Sequence, residues 1–177
     1  MYGICHTSNV RATTIGHAAS VLAPKGGLEN GMIVVVGDLA TGESDIRNIS
    51  AVVPAEIEAK RIGIIASPEI VPGDDTLMNR SLGAFHIEEG GIADEYDLVI
   101  GDQFEISESL IALGDGVKDL VKDAKYLTTS GMKYQAVKEL PAQGVALKIN
   151  RVFDATAPRM FNKGLEYRLI HLTVERV

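Results

Sequence analysis

The cysteine and the histidines are the residues of this sequence best suited to nucleophilic or metal chemistry. The single cysteine, Cys5, stands next to His6, and a thiol beside an imidazole can form an activated nucleophile or begin a metal site. The remaining histidines are His17, His86 and His171, and no two histidines have the i,i+4 spacing of a zinc-binding helix. Because Cys5 lies in a segment without the pattern of a scaffold, the sequence predicts an incidental thiol. The scattered spacing of the histidines predicts ordinary polar roles for them and no metal site.

Carboxylates form the second group of potentially reactive side chains. Paired carboxylates coordinate Ca²⁺ or share acid–base work, and an acidic cluster surrounds Gly90-Gly91; its members are Glu88, Glu89, Asp94, Glu95 and Asp97. Their spacing does not match the calcium-binding loop of an EF-hand. The pattern is more typical of a solvated acidic loop, and we interpret Asp74-Asp75 in the same way.

Sequence motifs that identify common active sites are missing. Lys25-Gly26-Gly27 does not have the residue order of a phosphate-binding loop, and no Gly-x-Ser-x-Gly nucleophile elbow occurs. We therefore predict a protein that is not an enzyme, with no catalytic, cofactor-binding or metal-binding residues and no cofactor.

Composition limits the remaining classes. The 177 residues suffice for one globular domain with an added arm, and 17 basic against 24 acidic residues give a net charge of -7. Such a surface repels phosphate, so we expect no direct nucleic-acid partner and favour a partner with basic patches. One cysteine allows no internal disulfide, and the longest apolar run, Met32 to Val36, is too short to cross a bilayer. We expect a soluble protein without a classical secretion signal and without a membrane partner.

Short runs of β-forming residues, separated by Gly, Asn and Asp turns, predict a mainly β fold, a small β-barrel or sandwich. Shorter strands are expected near residues 50–53 and 84–87, and the clearest candidate strands are Met32–Val36, Arg61–Ala66, Gln103–Ser107, Gly144–Val152 and Tyr167–Val177. Pro54 to Lys60 is compatible with one helical turn. We expect at most one or two short helices in the whole chain.

Two segments are harder to interpret. Residues 1–26 contain isolated apolar residues with no sustained period, so we expect a flexible tail or an extended N-terminal arm that lies on a neighbouring subunit, ahead of a single β-rich domain at 27–177. In the second segment, residues 111–140, helix and hairpin both stay open. A helical spacing of apolar residues runs from Val117 to Ala124, whereas residues 125–137 flank Ser130-Gly131 as in a hairpin.

Several short motifs resemble the head decoration, or auxiliary capsid, proteins of tailed bacteriophages. In that family a polar N-terminal arm leads to an LENG turn, a strand and a GDL-x-x-GE turn, followed by a strand ending in Ala-Ser-Pro-Glu and a later strand beginning with Gly-Asp. The corresponding residues here, which fall within residues 8–110, are Ser8–Thr14, Leu28–Met32, Gly37–Leu39 with Gly42-Glu43, Ile64–Glu69 and Gly101–Phe104. They are turn and strand formers, so the resemblance implies a shape rather than a chemistry.

The resemblance also implies a function. It implies a virion protein of the capsid surface, synthesised in the host bacterial cytoplasm, that binds the assembled major capsid protein and ties its subunits together. Such proteins are often trimers, so the resemblance implies a homo-oligomer. One alternative is another virion component, such as a tail-tube or head-fibre base subunit. A second alternative is a small β-barrel enzyme or metal-binding module that uses His86, His171 and the acidic loop.

Overall fold

The computed structural model describes residues 1–15, 17–57, 60–68, 85–157 and 165–177. Within these ranges the chain is mainly β, as the sequence predicts. The strands and the one short helix are, in chain order, β1 (Cys5–Asn9), α1 (Ala12–Ile15), β2 (Ala18–Leu22), β3 (Ile33–Leu39), β4 (Ile46–Ser50), β5 (Arg61–Ile65), β6 (Ile92–Asp97), β7 (Gln103–Ser107), β8 (Ile111–Leu113), β9 (Tyr126–Ser130), β10 (Lys133–Val137), β11 (Ala146–Ala157) and β12 (Leu165–Arg176). Single 3-10 turns are formed by Pro54–Glu56 and Glu108–Leu110.

Five strands close into a small barrel in the order β2-β4-β3-β5-β6. Within the barrel the two strands with the longest apolar runs, β3 and β5, are antiparallel neighbours, with Val34 opposite Gly63. Their apolar residues are buried on both faces, which explains why these strands are continuous β-branched runs rather than alternating patterns. Closure leaves this sheet without an edge that would need protection.

The other strands form a seven-stranded sheet in the order β1-β7-β12-β11-β9-β10-β8. Its centre is the long antiparallel pair of β11 and β12, and β9 and β10 form the hairpin that the sequence leaves open as an alternative. On β7 the side chains alternate, with Phe104 and Ile106 buried and Gln103 and Glu105 half-buried. One face of the sheet therefore packs against the core, and the other is polar.

The barrel and the sheet share one hydrophobic core. Ile33 and Ile64 from the barrel belong to the same buried cluster as Phe104 and Ile170 from the sheet. At the junction the hydroxyl group of the fully buried Tyr134 donates a hydrogen bond of 2.7 Å to the carbonyl of Gly31. Gly31 has a φ of +87°, and a Cβ there would lie 2.6 Å from Cδ1 of Leu110, so only glycine fits this approach.

The expectation of a separate N-terminal arm is wrong. Within residues 1–26, β1 pairs with β7, and β2 pairs with both β4 and β6 to close the barrel, so the expected boundary after residue 26 separates strands of one barrel. The isolated apolar residues of this segment, among them Ile4, Val10 and Val21, are buried. A local pattern conceals this because each side chain reaches the core alone, beside strands far away in the sequence.

The helical alternative for residues 117–124 is also wrong. After β8 the chain passes through turns as far as residue 125, and Val117, Leu120 and Ala124 reach the core from these turns while Val121 is exposed. Two carboxylates stabilise the turns by accepting hydrogen bonds from backbone N–H groups. The carboxylate of Asp123 accepts from Lys118 and Asp119, and the carboxylate of Asp119 accepts from Val121 and Lys122. Asp74-Asp75 and Ala84 lie outside the described residues. Among the described residues, no helix has the length and apolar character needed to cross a bilayer.

Deleting residues 1–26 tests the barrel closure. Without β2, strands β4 and β6 lose their common neighbour. We therefore expect the free energy of unfolding to fall by about 5 kcal/mol or more, so that the remaining chain no longer unfolds cooperatively. Urea denaturation followed by circular dichroism measures this. Deletion of Tyr2 alone is the control, because Tyr2 is 41% exposed and outside every strand, and it should cost less than about 1 kcal/mol. A folded 27–177 chain with an unchanged transition would contradict the closure by β2.

Candidate functional site

The cysteine and the histidines occupy separate positions, with one exception. Cys5 is half-buried on β1, and His86 stacks on Tyr2 with 4.7 Å between ring centroids. The exception is a row across three strands, in which His6 of β1 and His171 of β12 both stand opposite Glu105 of β7. Nδ1 of His6 lies 3.0 Å from Glu105 Oε2, whereas Nδ1 of His171 lies 3.0 Å from the side-chain nitrogen of Asn150. Within the described ranges, no cluster of three or more His, Cys, Asp or Glu side chains has metal-binding geometry.

The acidic cluster is only partly a solvated loop. Glu88 and Glu89 are exposed in the turn before β6, as expected, but Asp94, Glu95 and Asp97 lie on β6 itself. Glu95 is completely buried, so the solvated interpretation is wrong for this residue. The strand was missed because its acids fall on both faces, which removes the alternation of polar and apolar residues by which a half-buried strand is recognised.

A glycine on the neighbouring strand makes room for the buried carboxyl group. Glu95 and Ala93 are buried while Ile92, which points to the opposite face of β6, is 58% exposed, so Glu95 points into the barrel. On β5 a Cβ at Gly63 would overlap Oε1 of Glu95. The same Oε1 makes no hydrogen bond to any described residue. Gly63 and Glu95 are therefore a matched pair, one supplying the space that the other fills.

Arg61 joins this buried carboxyl to a second one. Its Nη2 lies 3.2 Å from Glu95 Oε2, and its Nε donates to Oδ1 of Asp97, whose other oxygen lies 3.7 Å from Nδ1 of His17. Burial, and then the negative charge of Asp97, raise the pKa of Glu95 to about 8, against a smaller opposing effect of Arg61. At neutral pH Glu95 is therefore mostly protonated, and the charge of Arg61 is balanced chiefly by Asp97.

Arg61 and Asp97 also line a cavity of about 530 Å³ where the barrel meets the end of β12. Among the described residues, the acidic and basic side chains of its wall are one carboxylate, Asp97, and four cations: Arg11, Lys60, Arg61 and Arg176. Apolar residues, among them Ile57, Leu98 and Val99, complete the wall. A volume of this order, with apolar walls and a few convergent polar groups, is typical of a small-molecule site.

No family model, curated protein or solved structure matches this chain.

The cations of the cavity wall are groups that can bind an anion. Glu95, whose pKa is raised to about 8, is shielded from solvent and does not line the cavity, so it is placed to contact Arg61 rather than to meet a ligand. The cations come from segments far apart in the sequence, and no local spacing marks them. The one local signal is the pairing of Arg61, before the apolar run of β5, with the acids of β6.

The substitution Glu95→Gln tests the buried proton. The pKa of Glu95 is about 8 in the folded protein, above its ordinary value of 4.5, so the stability from this group is complete at low pH and falls as the pH rises towards 8. Glutamine keeps the shape without titrating. We expect the variant to gain stability relative to wild type with increasing pH, by at most ~1.4 kcal/mol per pH unit. Urea denaturation across this range measures the difference.

Glu43→Gln is the control for the lost charge, because Glu43 is an exposed acid in the turn after β3. Its stability should run parallel to that of wild type over the same pH range. If Glu95→Gln also gives a parallel curve, the proton on Glu95 is not held in the way that its burial requires.

Proposed function

We propose that this protein is a virion structural protein that binds the assembled capsid of a tailed bacteriophage and stabilises it, as a homo-oligomer on the capsid surface. The proposal starts from the resemblance carried by the turn motifs. It is supported by the positions of those motifs in the fold, where they form the junctions between distant segments.

The carrying observation is that every residue of Leu28-Glu29-Asn30-Gly31 forms a hydrogen bond with a residue distant in the sequence. Leu28 exchanges backbone hydrogen bonds with Ile87, Glu29 accepts from the backbone of Gly3 and from Lys133, Asn30 bonds Ser67 in both directions at 2.9 Å, and Gly31 accepts from Tyr134. Asn30 thus joins the LENG motif directly to the Ala-Ser-Pro motif. Such motifs specify a fold, and the proposal is that the shared fold serves a shared role.

A second pair of motifs meets at Asp102. This buried carboxylate accepts hydrogen bonds from the backbone of Arg11, at 3.2 Å, and of Val99, at 3.0 Å. It therefore ties the Gly-Asp motif before β7 to the Ser-Asn-Val-Arg motif before α1. Both junctions are structural, which favours a binding role over a catalytic one.

The edge strand β8 offers a route for the attachment to the capsid. Gly114, directly after β8, donates its N–H to Ala136 of β10 at 3.1 Å, so Leu113, one residue earlier, directs its N–H to the opposite side. No described strand pairs with β8 on that side, and Leu113 is 50% exposed. An extended segment of the capsid protein can add to such an edge through backbone hydrogen bonds. In this proposal β8 takes the role that was expected of an N-terminal arm.

Co-sedimentation with empty shells assembled from the major capsid protein of a tailed phage that encodes this chain tests the proposal. We expect saturable binding, with density for the protein at symmetry-related positions on the outer surface of the shell in electron cryomicroscopy. Absence of binding would refute the proposal, and assembly of the purified protein into rings or fibres would favour a tail-tube or fibre-base role.

Leu113→Pro tests the contribution of β8. Proline removes the outward N–H and keeps the hydrogen bonds to β10, so we expect a folded protein whose affinity for shells is about tenfold lower or worse. Leu113→Thr is the matched control, since it also removes the leucine side chain but retains the N–H. Equal affinities of the two variants would show that backbone pairing at β8 does not hold the shell.

A further inference from the structure

The cavity between the barrel and the end of β12 is the part of the molecule that the capsid proposal leaves unused. The geometry points to a binding site for a small organic anion, one that carries two negative charges on its oxygen atoms and has a compact apolar body. The inference is independent of capsid binding, since it rests on the walls of the cavity alone.

Charge is the first argument. The protein has a net charge of -7, yet among the described residues four of its 17 basic side chains and a single acidic side chain line this cavity. Arg61 pairs with Asp97, whereas the carboxylates beside Arg11 and Lys60, the fully buried Asp102 and the exposed Glu56, do not line the cavity. The described wall is therefore richer in basic than in acidic side chains, in an acidic protein, and low-dielectric walls strengthen the attraction of such a site for anions.

Preorganisation is the second argument. Nε of Arg176 donates to the carbonyl of Gly144 at 2.7 Å and its Nη2 to that of Pro141 at 2.5 Å, so neutral acceptors fix the guanidinium without cancelling its charge. On the barrel side, Glu95 and Asp97 fix the guanidinium of Arg61. Two immobilised guanidinium groups thus belong to the two walls, and binding a ligand between them costs little side-chain entropy.

The apolar part of the wall determines the rest of the ligand. Pro54, Ile57 and Ile62 on the barrel side, with Leu98 and Val99, leave an apolar surface beside the cations. A hydrated inorganic ion would leave that surface exposed to water, whereas an aromatic or short aliphatic body would cover it. Phosphate monoesters and dicarboxylates share this combination of charge and apolar surface.

Titration calorimetry of the full chain with phenyl phosphate and with phthalate tests the inference. We expect saturable one-to-one binding of at least one of them, weakened by added NaCl, and no binding of the neutral analogue benzyl alcohol. Binding of phenyl phosphate alone would identify a phosphate site, and binding of phthalate alone a dicarboxylate site. Failure of both anions to bind at millimolar concentration would overturn the inference.

Two pairs of variants locate the binding. Lys60→Gln removes an exposed cation of the cavity and should weaken binding about tenfold, whereas Lys25→Gln, the same change at an exposed lysine outside the cavity wall, should leave it unchanged. Ala55→Glu places a negative charge on the wall and should abolish binding, while Ala55→Gln adds similar bulk without charge and should reduce it far less. Equal effects within either pair would show that the anions bind elsewhere.

Discussion

Closure of the barrel by β2 is the constraint on which the rest of the structure depends. β2 pairs antiparallel with β6 and parallel with β4, so it joins the last strand of the barrel to the earlier ones. A parallel pair cannot form through a tight turn, and here the connection between β2 and β4 contains β3. Before β2 in the chain, β1 pairs with β7 and α1 contacts β1 and β6, so the N-terminal segment also joins the seven-stranded sheet.

The junction of the two sheets is maintained by polar groups as much as by apolar contact. Buried Asn30, Asp102 and Tyr134 each satisfy backbone groups of a distant segment. Directional bonds of this kind select one arrangement among those that apolar packing would allow, since a wrong arrangement would leave buried polar groups without partners. The turn motifs are therefore informative about the fold, because their side chains form the hydrogen bonds of these junctions.

The sequence predicts the elements whose signal is local. Apolar runs predict β3 and β5, and alternation predicts β7. The Ser130-Gly131 turn indicates the hairpin of β9 and β10 only as an alternative to a helix. The failures share a physical reason, since Val21 and Val117 are buried by strands distant in sequence and their own neighbours show no periodic pattern. Glu95 is hidden for a related reason, because the space that lets a carboxyl group enter the barrel is created by Gly63 on another strand.

The cavity could not be predicted from the sequence because its cations come from segments that are distant in the sequence. The electrostatics of its Arg61 wall follow from the burial of Glu95. Were Glu95 ionised, Arg61 would stand between two carboxylates, and the three groups together would carry a net negative charge that repels an anion in the cavity. With the pKa of Glu95 raised to about 8, the proton remains on the buried acid at neutral pH, and one carboxylate, Asp97, balances Arg61. An apolar isostere would fill the barrel at a lower cost in desolvation. The acid at position 95 therefore makes physical sense as a neutral hydrogen-bonding partner that orients Arg61 at the cavity wall, and not as a source of stability.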